Sequence, residues 1–219
     1  MKLLWIGLFA LLGVLGVVVL RGRGFSLYRA LLHPRISRAR QSFFDAFPIS
    51  PTDTVFLGDS LTEGAEWEEL FPGAGARNRG IGGDRVSDLL GRLGPVLAGT
   101  PRRLFLQIGT NDLAAGRPPD AILDDYATLV RRVAVESPAT RVYVQSLLPR
   151  AASYRARIED LNVRIARLAG EHGAEYLDLY PHFLGDDGGL RGDLHYDGLH
   201  LSGAGYRLWQ RLLEPIVRG

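Results

Sequence analysis

Five short blocks of this chain carry side chains that could act together: Gly58-Asp59-Ser60, the loop Asn78–Asp84, the run Ile108–Asp112, the run Ser146–Arg150, and a C-terminal segment with Asp197 and His200 three residues apart. Acyl transfer needs a nucleophile, a base for its proton, an acid to orient the base, and donors for an oxyanion. Ser60 offers the hydroxyl, which is inert near neutral pH until an imidazole takes its proton; a free imidazole titrates near ~6.5. Both His195 and His200 lie close to Asp197. The side-chain amide of Asn111 can donate to an oxyanion where an aspartate could not. Each block also has a plainer reading. Ser60 alone could be a helix cap, with Glu63 three residues later as its capping-box partner. The glycines of residues 80–83 could make a tight turn, and they lack a P-loop or Rossmann pattern. Asn111 could form an Asx-turn. A metal set drawn from Asp193, His195, Asp197 and His200 would leave Ser60 idle.

The elements that must position these blocks are legible from periodicity. Apolar runs at Thr54–Leu57, Leu104–Ile108, Val142–Ser146 and Tyr176–Leu179, with a weaker one at Ala76–Ile81, read as buried strands. Between them, helical spacing relates Val86, Leu89, Leu90, Leu93, Val96 and Leu97, then Ile122, Tyr126, Leu129, Val130 and Val133. The same spacing recurs at Ile158, Leu161, Ile165 and Leu168, and at Tyr206, Trp209, Leu212, Leu213 and Ile216. Gly173 reads as a helix stop and Ser202 as the cap of the last helix. Strands alternating with helices of roughly 12–18 residues predict an α/β domain, its parallel sheet between two helix layers. Each candidate block follows a strand or precedes the last helix, and ligands gather at that carboxyl edge in open α/β folds.

The sequence Gly-Asp-Ser-Leu, Gly-Gly-Asp, Gly-Thr-Asn-Asp and Asp-x-x-His, in this order between Val55 and Val217, resembles the SGNH (GDSL) hydrolase family. Within it, "NRGIGGD", "SLLPR" and "LHLSGAGY" look like segments of the platelet-activating-factor acetylhydrolase catalytic-subunit group. The resemblance implies a flavodoxin-like three-layer α/β/α fold with a five-stranded parallel sheet. It also implies Ser60 as nucleophile, His200 as general base and Asp197 as the residue orienting it. The implied oxyanion hole uses the backbone N–H groups of Ser60 and Gly83 and the amide of Asn111. The Asp-x-x-His spacing selects His200 over His195. No cofactor or metal is implied. The expected activity is hydrolysis of short- to medium-chain acyl esters, of lysophospholipase or acetylesterase type, through an acyl-enzyme. A second reading is an O-acetyltransferase that acts on a cell-envelope glycan with the same triad.

The 219 residues suit one domain and an appendage. With no cysteine, disulfides and thiolate chemistry are excluded. From Leu3 to Leu20 no residue is charged, and eighteen helical residues at about 1.5 Å each span roughly 27 Å, close to a hydrocarbon core. Trp5 falls near one interface. The run ends in Leu20-Arg21-Gly22-Arg23 without a small-x-small site, which favours an uncleaved anchor over a cleaved signal peptide. Six arginines and no acid follow between Arg21 and Arg40; without base-reading motifs they fit anionic lipid head groups rather than nucleic acid. The expected organisation is a membrane anchor over 1–24, an arginine-rich linker or helix over 25–50, and the hydrolase domain over 51–219. The anchor type predicts a single-pass protein with its catalytic domain on the periplasmic or extracytoplasmic side, although the arginines favour the opposite topology. The predicted partners are the acyl-ester substrate and the membrane.

Overall fold

The computed structural model describes residues 24, 25 and 27–219. The Leu3–Leu20 segment lies outside them, and among the described residues no helix is long and apolar enough to cross a membrane. The chain divides into two compact units, residues 1–42 and 43–219. Helix α1 spans His33–Ala46.

The second unit is built on five parallel strands: β1 (Thr54–Gly58), β2 (Ala76–Gly80), β3 (Arg103–Gln107), β4 (Arg141–Gln145) and β5 (Glu175–Leu177). Their order is β2-β1-β3-β4-β5, the flavodoxin-like order, with its switch point between β1 and β3. Register is continuous across the centre, with Phe56 opposite Phe105 and Phe105 opposite Tyr143. Because side chains alternate along a strand, each central strand feeds two cores. Val55, Leu57, Leu104, Leu106 and Val144 point into one, closed by helices α4 (Val86–Gly91), α7 (Pro119–Glu136) and α8 (Arg155–Glu171). Phe56, Phe105 and Tyr143 point into the other, closed by helices α3 (Trp67–Leu70) and α10 (Gly203–Arg218). This second core is aromatic. Phe56 stacks on Trp67 at 3.7 Å and on Phe105 at 5.0 Å, and Trp209 of α10 meets Trp67 edge-on at 5.3 Å.

All five strands lie within a residue or two of the predicted runs. Three local expectations are corrected. The spacing from Val86 to Leu97 predicts one helix, but α4 stops at Gly91 and a separate helix, α5, spans Gly94–Ala98. Pro95 has no N–H to continue the first helix and suits the first turn of the second. Ser202 occupies the cap position of α10, yet its hydroxyl donates to the Asp193 carbonyl at 3.2 Å rather than capping. The short helix α2 (Ser60–Glu63) is capped by Asp59, whose Oδ1 accepts the Leu61 N–H at 3.1 Å. Glu63 accepts the Gly82 N–H at 2.7 Å, tying the glycine loop to α2. Gly173, at φ 72, follows the end of α8 as expected.

Candidate active site

The turn that presents Ser60 is fixed by close packing. Gly58 ends β1 where a Cβ would strike the Gln107 carbonyl oxygen and Thr62 Oγ1, so only glycine lets β1, β3 and α2 approach. Arg92, itself buried, clamps the three segments that meet here. Its Nη2 donates to the Gly58 carbonyl at 2.9 Å, Nη1 to the Arg79 carbonyl at 2.8 Å, and Nε pairs with Asp84 at 2.7 Å. Asn78 adds two donor bonds to the carbonyls of Glu63 and Ala65, each 2.9 Å, and accepts the Gly80 N–H. The Ser60 turn and the glycine loop are therefore tied together by these bonds.

Across this turn lies the loop before α10. His200 Nε2 is 3.0 Å from Ser60 Oγ, 140 residues away in the chain. His200 Nδ1 is 2.6 Å from Asp197 Oδ2, while Asp197 Oδ1 accepts the backbone N–H groups of His200 (2.7 Å) and Leu199 (3.0 Å). Burial works against the Asp197 charge, but the bonds from the His200 ring and these two amides prevail and hold its carboxyl below the usual range. His195 does not join this chain of bonds. Its Nδ1 accepts the Gly198 N–H at 2.9 Å, and its backbone bridges to Leu201, closing the loop that carries Asp197 and His200.

Asn111 is buried at the start of helix α6 (Thr110–Ala114), and its Nδ2 donates to the Asp84 carbonyl at 2.9 Å and approaches Asp59 Oδ2 at 3.5 Å. Its amide thus lies between the residue before Ser60 and the residue after Gly83. Gly83 adopts φ 83, a left-handed conformation that favours glycine. Asp112 pairs with Arg117 at 2.6 Å and accepts the Val86 N–H at 3.1 Å, fixing α6 against α4. Arg150 donates to the Thr110 carbonyl and hydroxyl, each 3.2 Å, and stacks on Tyr154 at 4.2 Å.

Sequence reasoning missed this supporting set. Asp59, Asp84 and Arg92 are fully or nearly fully buried, and charged residues beside glycines read as loop surface until the fold encloses them. Asp59 is strongly perturbed. Burial lifts its carboxyl to about 7, against the Leu61 hydrogen bond and with help from the charges of Asp84 and Asp112. The one available signal was its place within Gly-Asp-Ser at the end of an apolar strand.

Serine, histidine and aspartate joined by hydrogen bonds at the carboxyl edge of a 2-1-3-4-5 sheet belong to the class of α/β hydrolytic enzymes. The chain belongs to the GDSL-like Lipase/Acylhydrolase family, which it matches over residues 56–208. It is similar to the platelet-activating factor acetylhydrolase IB subunit alpha1 of Homo sapiens, 35% identical over 175 residues that cover 75% of each chain. The alpha2 subunit of Rattus norvegicus is 29% identical over 178 residues, covering 75% of this chain and 76% of that one. Among solved structures, a Streptococcus pneumonia protein provisionally described as a platelet activating factor superposes with a TM-score of 0.78. It is 27% identical, and the match covers 87% of this chain and 96% of that one. A GDSL-like lipase from Bacteroides thetaiotaomicron, 23% identical with a TM-score of 0.71 over 85% of this chain and 97% of that one, shares the fold. The protein is an ester hydrolase of the SGNH (GDSL) type.

Proposed function

We propose that the protein is a membrane-anchored serine esterase that cleaves short- to medium-chain acyl esters, of lysophospholipase or acetylesterase type, through an acyl-enzyme at Ser60. The observation that carries this reading is the continuous bond chain Ser60 Oγ–His200 Nε2–His200 Nδ1–Asp197 Oδ2, at 3.0 and 2.6 Å. His200 Nε2 takes the Ser60 proton as Oγ adds to the ester carbonyl, and the carbonyl electron pair moves to oxygen. The N–H groups of Ser60 and Gly83 and the Asn111 amide stabilise that oxyanion. The imidazolium, held by Asp197, returns the proton to the leaving alcohol, so the C–O bond breaks and an acyl-serine remains. Water, deprotonated by the same His200, adds to the acyl carbon; carboxylic acid leaves and Ser60 regains its proton. The similarity to the acetylhydrolase subunits supports a small acyl group. Leu3–Leu20 would hold the enzyme in the membrane, with its catalytic domain on the periplasmic or extracytoplasmic side.

The test is labelling by a fluorophosphonate probe together with hydrolysis of p-nitrophenyl esters from acetate to palmitate. Ser60→Ala is expected to abolish labelling and to lower kcat by about 10,000-fold or more, with little effect on folding. A variant that kept a tenth of the activity would remove Ser60 from the mechanism. Acyl transfer to a glycan acceptor exceeding transfer to water would favour the acetyltransferase reading.

A further inference from the structure

The edge of the sheet opposite Ser60 holds a second feature that ester hydrolysis does not use. A cleft of about 560 Å³ opens where β1 and β3 begin, between the loop before β2 and the last turn of α10. Thr52, Gly73, Gly75, Arg102, Arg103 and Arg218 line it. Arg103 is the unusual member. It is 2% exposed, and its Nε has no hydrogen-bond acceptor. A buried charged donor left unpaired is costly, and native structures rarely retain one without a ligand or water to receive it.

The surrounding charge does not balance it. No carboxylate lines the cleft. Asp53, close by beneath Gly75, spends Oδ2 on the Ser50 N–H at 2.8 Å and Oδ1 on Arg77 at 3.2 Å. Glu214 is engaged by Arg218 Nε. Burial, with the like charges of Arg102 and Arg141, pulls the Arg103 guanidinium below its ordinary value, against a side-chain hydrogen bond with Tyr143 that leaves Nε unpartnered. Arg102 is exposed and has no ion pair among the described residues.

We propose that this cleft is a binding site for a phosphate group, held by Arg102 and Arg103 at the amino-terminal edge of β3 and by Arg218 at the end of α10. A guanidinium presents two parallel N–H donors that match two phosphate oxygens, and a dianion balances more of this charge than a carboxylate would. The volume leaves room for an organic moiety beyond the phosphate, since a water occupies only about 30 Å³ of liquid. The phosphate could arrive free in solution or as the head group of a lipid, which the experiment separates.

Full-length protein is heated with increasing inorganic phosphate while ionic strength is held constant with potassium chloride. Binding to the native state raises the thermal midpoint by mass action. The expected result is a phosphate-specific rise that Arg102→Gln and Arg218→Gln weaken by about tenfold or more in apparent affinity, while p-nitrophenyl acetate hydrolysis is unchanged. Both arginines are at the surface, so these variants fold even if Arg103→Gln does not. In parallel, the protein is sedimented with phosphatidylcholine vesicles with and without phosphatidic acid. An arginine-dependent gain confined to phosphatidic acid assigns the site to a lipid head group; an arginine-dependent response to inorganic phosphate assigns it to a free phosphate. Equal responses in wild type and variants, or none in either arm, overturn the proposal.

Discussion

A histidine is selected for catalysis by what its two nitrogens touch, and here two neighbours divide the work. His200 bridges Ser60 and Asp197, whereas His195 accepts a backbone N–H within the loop. His200→Ala is therefore expected to lose activity to the same degree as Ser60→Ala. His195→Ala removes one hydrogen bond, costing about 1 kcal/mol of stability and only a few-fold in kcat. The opposite pattern in steady-state kinetics would reassign the base. Asp59 makes a separate prediction for pH. Its folded pKa of about 7 lies above that of an unfolded aspartate, so the native state holds the proton more tightly. Stability contributed by the protonated form is present below about pH 4 and is lost as pH rises through about 7. The size is roughly 1.4 kcal/mol for each unit of difference. Asp59→Asn mimics the protonated acid, so urea unfolding between these limits is expected to show a flatter pH slope and a more stable protein at pH 8. A slope unchanged by the substitution would place the titrating group elsewhere.

Among the elements, the strands were the most legible because a parallel sheet buried on both faces leaves unbroken apolar runs. Val55–Leu57, Leu104–Leu106 and Val142–Val144 each contain such a run, and the observed strands contain all three. Ser60, Asn111, Asp197 and His200 could be found for a related reason, since each stands where such a run ends or the last helix begins. What stayed hidden depends on tertiary enclosure. Nothing local distinguishes Arg92, buried against three carbonyl and carboxylate partners, from an exposed helix arginine. Helical period alone also could not see that Pro95 divides α4 from α5. At Gly58, β1 approaches both β3 and α2 closely. Gly58→Ala would drive a methyl into the Gln107 backbone, which cannot swing aside as a side-chain tip can. A loss of about 1–3 kcal/mol is expected in denaturant unfolding, with kcat falling as the Ser60 turn shifts. Wild-type stability in that variant would mean that β1 and β3 separate readily.

For the molecule as a whole, the proposed anchor and the catalytic unit are separable in sequence. No proposed catalytic residue precedes Ser60, and the family match begins at residue 56. Full-length protein is expected in the membrane fraction after salt and carbonate washes, because apolar burial is not screened by ions. Deleting residues 1–24 is expected to release an active, soluble enzyme. Release of the full-length chain by salt alone would instead assign membrane binding to the arginines between Arg21 and Arg40. The 140-residue separation of Ser60 and His200 carries a consequence for the birth of the enzyme. The β1 turn emerges from the ribosome early, but its proposed base, His200, arrives with the loop that precedes α10. That helix is secured by Tyr206 to the Leu61 carbonyl, by Trp209 to Gln145 and by Gln210 to the Leu70 carbonyl. Such long-range closure comes late in folding. On the proposed mechanism, a nascent chain that holds the Ser60 turn still lacks both its base and the α10 contact to Leu61, and esterase activity is expected only once the C-terminal helix has docked.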